Sequence, residues 1–175
     1  TLGHAGATVR PGDVVNIGRG IYRESLVLKQ AGLLEAPITF QAASRGDDSR
    51  EAVVITGADV IADWVRVDGD RPIWAYGPWT HVWMPHGAEP PVGCREQVIV
   101  DGTIDRAGQL LRQVMSIDKM EAGTFHADPK GTQKLYVWLP GDADPRQHLV
   151  EAGVRELVVH VKSHTRLRGL QVRYA

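Results

Sequence analysis

Between Pro11 and Ala42 the chain packs three short β-type runs, Val14 to Ile17, Leu26 to Lys29 and Ile38 to Ala42, between turn signals. Each run is rich in Val, Ile or Leu and bounded by Gly, Pro or Asp, which is how buried strands of a repeat read. Pro11 fixes its own φ, and Gly12 tolerates the positive φ that a tight turn into Val14 requires. Pro37 lacks an amide hydrogen and belongs at the entry of the third run, not in its middle. The step of 24 residues from Val15 to Thr39 falls in the range of stacked-coil architectures. The stretch therefore reads as one coil of a solenoid, with an ordinary antiparallel hairpin protein as the competing topology.

Further along, Ser44 to Glu51 is a polar loop and Ala52 to Thr56 a buried strand. Val54 follows Thr39 so closely that the two mark successive faces of a coil better than equal repeats. Gly3, Gly6 and Ala7 mark turns in the lead-in from Thr1 to Arg10. From about Ala62 to Ala152 the character changes, because all five Trp (Trp64, Trp74, Trp79, Trp83 and Trp138) lie there. Period-2 alternation at Trp64 to Val67, Gln97 to Val100 and Lys134 to Leu139 points to half-buried strands. The helical-looking run Leu110, Leu111, Val114, Met115 is too short to outrank a strand or a single turn. Leu157 to Val161 and Leu167 to Arg173 read as solenoid strands again. The expected organisation is first coils over 1–61, an inserted β-rich subdomain over 62–152, and resumed solenoid over 153–175.

The motifs Pro11-Gly12-Asp13, Gly20-Ile21-Tyr22, Pro37-Ile38-Thr39 and Ile55-Thr56-Gly57 resemble the opening coils of right-handed parallel β-helix proteins. That is the pectate-lyase-like group, which includes many polysaccharide lyases and glycoside hydrolases. The stretch from Arg95 to Ala175, with VIVDG, GTFHAD, KLYVWLP and RGLQVRYA, is similar to interrupted β-helices of carbohydrate-active enzymes. The resemblance implies an all-β fold, a right-handed parallel β-helix interrupted by a small β-rich insertion. It also implies an extracellular or periplasmic location and a polysaccharide or oligosaccharide partner. Glycoside hydrolase is favoured over polysaccharide lyase, and a non-catalytic carbohydrate-binding or structural/adhesion β-helix protein stays open as the alternative. In the resembling families the catalytic groups project from successive coils, mostly beyond the point that Ala175 corresponds to, so no catalytic residue is carried onto this chain. The implied cofactor is none, with calcium reserved for the lyase case.

Charge sets other limits. Lys plus Arg number 20 against 21 Asp plus Glu, so the net charge of −1 gives no field that would draw the chain onto nucleic acid or anionic membranes. No apolar run approaches the roughly 20 residues that span a bilayer. Cys94 is alone, which excludes an intrachain disulfide.

The aromatic run Ile73 to Trp83 carries the most functional weight. Sugar rings present apolar C–H faces that stack on indoles, so Tyr76, Trp79, His81 and Trp83 are the expected substrate-binding residues, with Pro78-Trp79-Thr80-His81 as the contact loop. The competing reading makes these rings the core of a small subdomain, which must find its apolar volume somewhere. In the same spirit Trp79 is expected exposed and Trp138 buried, with the Tyr136–Trp138 face meeting the rest of the insertion.

Metal-binding patterns are weak. His81, His86 and Cys94 match no established zinc spacing, and His160 and His164 lack the Glu of the helical zinc motif. Asp47-Asp48, Asp68-Gly69-Asp70 and Asp142-Ala143-Asp144 read as turn chemistry before they read as calcium ligands. Gly18-Arg19-Gly20 lacks the third glycine and the helix of a dinucleotide site. Finally, Gly169 to Arg173 reads as a strand in full course without a polar cap. The resulting expectation is that downstream coils of the same protein stack on it, and that the 175 residues alone aggregate or dimerise.

Overall fold

A computed structural model describes residues 1–46, 49–82 and 96–174. The chain begins with α1 (Leu2–Thr8), followed by β1 (Val14–Ile17), β2 (Gly20–Tyr22), β3 (Leu26–Val27), β4 (Ile38–Ala42) and β5 (Val53–Thr56). Next come β6 (Ala58–Val60), β7 (Val65–Arg66), β8 (Trp74–Tyr76), β9 (Val98–Val100), β10 (Gln109–Leu110) and β11 (Arg112–Gln113). The remainder is β12 (Thr124–Asp128), β13 (Lys134–Trp138), β14 (Val150–Gly153), β15 (Val159–His160), β16 (Thr165–Arg168) and β17 (Leu170–Arg173). The fold is all-β. No helix among the described residues is long and apolar enough to cross a membrane. Two compact units emerge: Thr1–Ala58 with Ile104–Arg106 and Arg155–Ala175, and Asp59–Thr103 with Ala107–Val154.

In the first unit every ladder is parallel. Its three sheets are β1-β4-β16, β2-β5-β17 and β3-β15. The chain visits them in one order, β1 to β2 to β3, then β4 to β5 to β15, then β16 to β17, so each turn of chain lies on the one before. Val14–Ile17 and Ile38–Ala42 pair in parallel as β1 and β4, and β3 pairs with β15, not with β1 in a hairpin. Burial on the inner side explains the near-continuous apolar runs. Ile38, Phe40 and Ala42 are fully enclosed with Ile17, Leu26, Val53 and Ile55, while Gln41 faces the other way and its amide donates to Asn16 Oδ1 at 2.9 Å.

Two details differ from the sequence reading. Val15 aligns with Phe40 and not with Thr39, one residue beyond the expected step. A slip of one residue would turn Thr39 toward the Ile17, Leu26 and Val53 cluster and Phe40 away from it, so the apolar pattern sets the register. The lead-in is not a series of turns but α1, capped by Thr1 Oγ1, which accepts from the His4 amide at 3.2 Å. Gly6 allows this helix to rest on β3, since a Cβ there would stand 2.5 Å from the Val27 carbonyl oxygen. Leu2 and Val9 at its two ends enter the core of the unit.

The second unit is built from two sheets, β10-β9-β14-β6 and β11-β12-β13-β8-β7. Pairing is antiparallel at β10–β9, β9–β14, β12–β13, β13–β8 and β8–β7, and parallel at β11–β12. Both sheets contribute to one core that includes Val98 and Val150 from the first and Trp74, Phe125, Leu135 and Val137 from the second, with Trp64, Trp79 and Leu139. Alternation along β13 sends Tyr136 and Trp138 to the opposite face, where a smaller cluster forms with Ile73, Ala75, Val114 and Met120. The main core therefore meets the Leu135, Val137, Leu139 face, and the Tyr136–Trp138 face covers the smaller cluster. Of the apolar run Leu110, Leu111, Val114 and Met115 only Leu110 lies within a strand, β10; Leu111 and Val114 beside β11 are buried while Leu110 and Met115 are exposed.

Candidate functional site: the Tyr76 cleft

Strand β8 places the aromatic run. Trp74 and Tyr76 share the face that meets the main core, and Ala75 lies on the other. Tyr76 is half-buried, with its ring tilted 59° against Trp64 at a centroid distance of 6.0 Å. After it the chain turns through a cis Gly77–Pro78 peptide, and the Trp79 amide donates to the Gln133 carbonyl at 2.8 Å. This bond fixes the loop beside the β12–β13 turn.

Trp79 itself corrects the sequence reading. It is only 2% exposed, and its ring lies in the core of the second unit instead of on the surface. A stacking platform needs a free ring face, so Trp79 does not supply one. The reason is volume: a small two-sheet unit has few large apolar side chains, and a loop residue next to the core fills the space. His81 packs edge-on against Trp79, with centroids 4.7 Å apart. Partial burial there lowers the His81 pKa below its usual value, offset in part by the negative charge of Asp59. Trp83 lies outside the described residues, as do His86 and Cys94. Trp138 is half-buried, not buried, and its Nε1 donates to Asp142 Oδ1 at 2.7 Å.

Of the expected ligand residues, Tyr76 borders a cleft of about 380 Å³. Its lining includes the apolar residues Val65, Ala75 and Pro78 and the polar residues Thr132, Gln133 and Lys134. Asp63 is the acidic residue of the lining. Both Asp63 (φ 58°) and Gln133 (φ 54°) hold the left-handed backbone region that L-residues rarely adopt, so two strained positions flank one cleft. Sequence reasoning named Tyr76 but missed these partners. The only available signal was the turn Asp128 to Gly131, which brings Thr132 and Gln133 back toward β8.

That turn is held by one side chain. Asp128 accepts from the Gly131 and Thr132 amides at 2.9 and 2.8 Å and from the Thr132 hydroxyl at 2.9 Å, while Tyr136 donates its hydroxyl to Thr132 Oγ1 at 3.0 Å. The Thr132 amide, foremost, holds the Asp128 carboxyl below its ordinary range. A carboxylate depressed in the folded state stabilises it above the unfolded pKa, and the contribution is lost as pH falls through the folded value. Asp128→Ala is therefore expected to destabilise the unit by about 1 kcal/mol at neutral pH. The difference from wild type should shrink as the pH falls below about 4 in denaturant titrations.

The remaining sequence candidates are turn and pairing residues. Asp68 accepts from the Asp70 and Arg71 amides and pairs with the Arg71 guanidinium at 2.9 Å. Asp144 pairs with Arg146, and Arg19 with Asp105 at 3.3 Å. Asp47 and Asp48 lie outside the described residues. His160 and His164 are exposed, and no group of three or more His, Cys, Asp or Glu that would hold a metal ion forms among the described residues.

No family model matches the chain, and no curated protein does. Among solved structures it is similar to one described as the complex structure of XylC with xylose, with a TM-score of 0.74 and 20% identity. The match covers 100% of this chain and 32% of XylC, so the chain spans about a third of the protein it resembles. At that identity the likeness establishes a shared fold that runs through both units.

Proposed function

We propose that the chain is part of a carbohydrate-active protein, its first unit being the opening coils of a right-handed parallel β-helix and its second an inserted β-subdomain that contacts sugar. The supporting observation is the fold likeness along the entire chain to a protein solved with xylose, taken with the Tyr76 cleft. A lining that combines Tyr76, Gln133 and Asp63 with Val65 and Pro78 suits the mixed polar and apolar faces of a sugar ring.

Glycoside hydrolase is favoured over polysaccharide lyase on chemical grounds. Elimination needs a carboxylate on the sugar to acidify its C5 proton, and a xylose-type pentose has none, so cleavage of such a substrate proceeds by hydrolysis between two carboxyl groups. Within the cleft the lining supplies one carboxylate, Asp63. This favours the second reading for the unit taken alone: it positions sugar without cleaving it. An extracellular or periplasmic location fits either reading.

Tyr76→Ala is expected to weaken binding of a neutral xylo-oligosaccharide by about tenfold, as for an aromatic contact worth about 1 kcal/mol or more. Calorimetric titration of both proteins checks it. Unchanged affinity would remove Tyr76 from the site, and absence of binding to any neutral or acidic glycan would overturn the carbohydrate reading.

A further inference from the structure

A second concavity of about 550 Å³ opens on the same unit, with Trp74, Asp142, Asp144 and Arg146 among the residues around it. Its polar groups are pre-arranged. The Arg146 guanidinium lies over the Trp74 ring, 4.5 Å from its centroid, and its Nε and Nη2 donate to the two oxygens of Asp144 at 3.0 and 2.6 Å. Asp144 Oδ1 also accepts from the Arg146 amide at 2.9 Å, so the fork is held from three directions. Asp144 engages the Nε and Nη2 edge, which leaves Nη1 without a hydrogen bond among the described residues. Asp142 is fixed in turn. Its backbone adopts φ 59°, and its Oδ1 is engaged by the Trp138 indole. No hydrogen bond engages its Oδ2 among the described residues, and Asp142 borders the same concavity.

A guanidinium held by Asp144 and a carboxylate held by the Trp138 indole, with the apolar side chains of Val65 and Pro72 in the same lining, form a recognition pattern for adjacent hydroxyls on a ring with an apolar face. Charge narrows the ligand. Arg66 and Arg146 are balanced by Asp142 and Asp144, and the guanidinium is already neutralised by its own carboxylate, so the groove offers no net attraction to an anion. We propose that this groove is a second sugar site that takes a neutral glycosyl unit through a vicinal diol bridged by Arg146 Nη1 and Asp142 Oδ2. Val65, 63% exposed on the edge strand β7, lines both this groove and the Tyr76 cleft, so the two sites adjoin on one edge. The assignment goes beyond the Tyr76 reading and draws on it only for the choice of probe.

The test is a titration of the intact chain with xylohexaose and with an oligogalacturonate of the same length, followed by tryptophan fluorescence and calorimetry. Asp142→Asn and Arg146→Lys are each expected to weaken xylohexaose binding by about tenfold, the loss of one charge-assisted hydrogen bond, with the melting temperature little changed. Oligogalacturonate should bind at least tenfold more weakly than xylohexaose, on the order of one missing ionic contact. If Tyr76→Ala weakens xylohexaose while both groove variants bind as wild type, the groove assignment is overturned and the carbohydrate reading stands. Preferential binding of oligogalacturonate overturns the neutral class. Failure of every protein, wild type included, to bind either probe overturns both the groove and the reading it adjoins.

Discussion

Trp79→Ala is expected to destabilise the second unit by about 3–5 kcal/mol, the cost of removing a large aromatic side chain from a packed core. Among the described residues Trp79 is the largest side chain that is fully enclosed, and Phe125, Leu135 and Leu139 belong to the same cluster. Its Nε1 is buried without a hydrogen-bond partner among the described residues. An unpaired buried donor is itself costly, so Trp79→Phe should lose far less than the alanine variant, about 1–2 kcal/mol, because the cavity is small and the orphan donor is gone. Urea titrations of the two variants against wild type decide the matter. Should the alanine variant keep its full stability and lose sugar affinity instead, Trp79 would belong on the surface and the core described here would be wrong.

That case shows where sequence pattern reaches its limit. Strands β1 and β4 were legible because each sits between Gly, Pro or Asp signals that have a local cause, and β8 and β13 because alternation is a local property. Burial of a loop residue has no local cause. Pro78-Trp79-Thr80-His81 has the composition of an exposed loop, and only the shortage of apolar volume in the finished unit draws the indole inward. Helix α1 was hidden for a similar reason. Gly3 and Gly6 read as turn residues, yet Gly6 is small because the helix touches the backbone of β3 at Val27, a contact between segments distant in sequence.

The candidate sites divide in the same way. Tyr76 was legible from its place on an alternating aromatic strand, whereas Asp63 and Gln133 reach the same cleft from opposite ends of the unit's sequence. Asp142-Ala143-Asp144 was recognised as turn chemistry, and it is a turn, with short 3-10 segments at Pro140–Asp142 and Pro145–Gln147 on either side. The placement of Arg146 over Trp74 could not be read from either segment, because it depends on how β8 and the turn after β13 come together in the folded sheet.

Phe40→Ala is expected to cost the first unit about 3–5 kcal/mol, and Phe40→Leu about 1–1.5 kcal/mol. The parallel ladder supplies the reason. β4 is the middle strand of its sheet, so Phe40 faces Val15 on one neighbour and Leu167 on the other, and none of its surface reaches solvent. Removing the ring therefore opens a cavity bordered by consecutive turns of chain, which cannot collapse without breaking backbone pairing on both sides. By contrast, Leu34 is 73% exposed in the connection that precedes β4, and Leu34→Ser should stay within about 0.5 kcal/mol of wild type. Circular dichroism is the appropriate probe, since all five tryptophans fall between Trp64 and Trp138 and their fluorescence reports on the second unit. A denaturant midpoint for Phe40→Ala that matches wild type at unchanged m would mean that the interior of the ladders is not a packed core, and the stacked arrangement of β1, β4 and β16 would have to be abandoned.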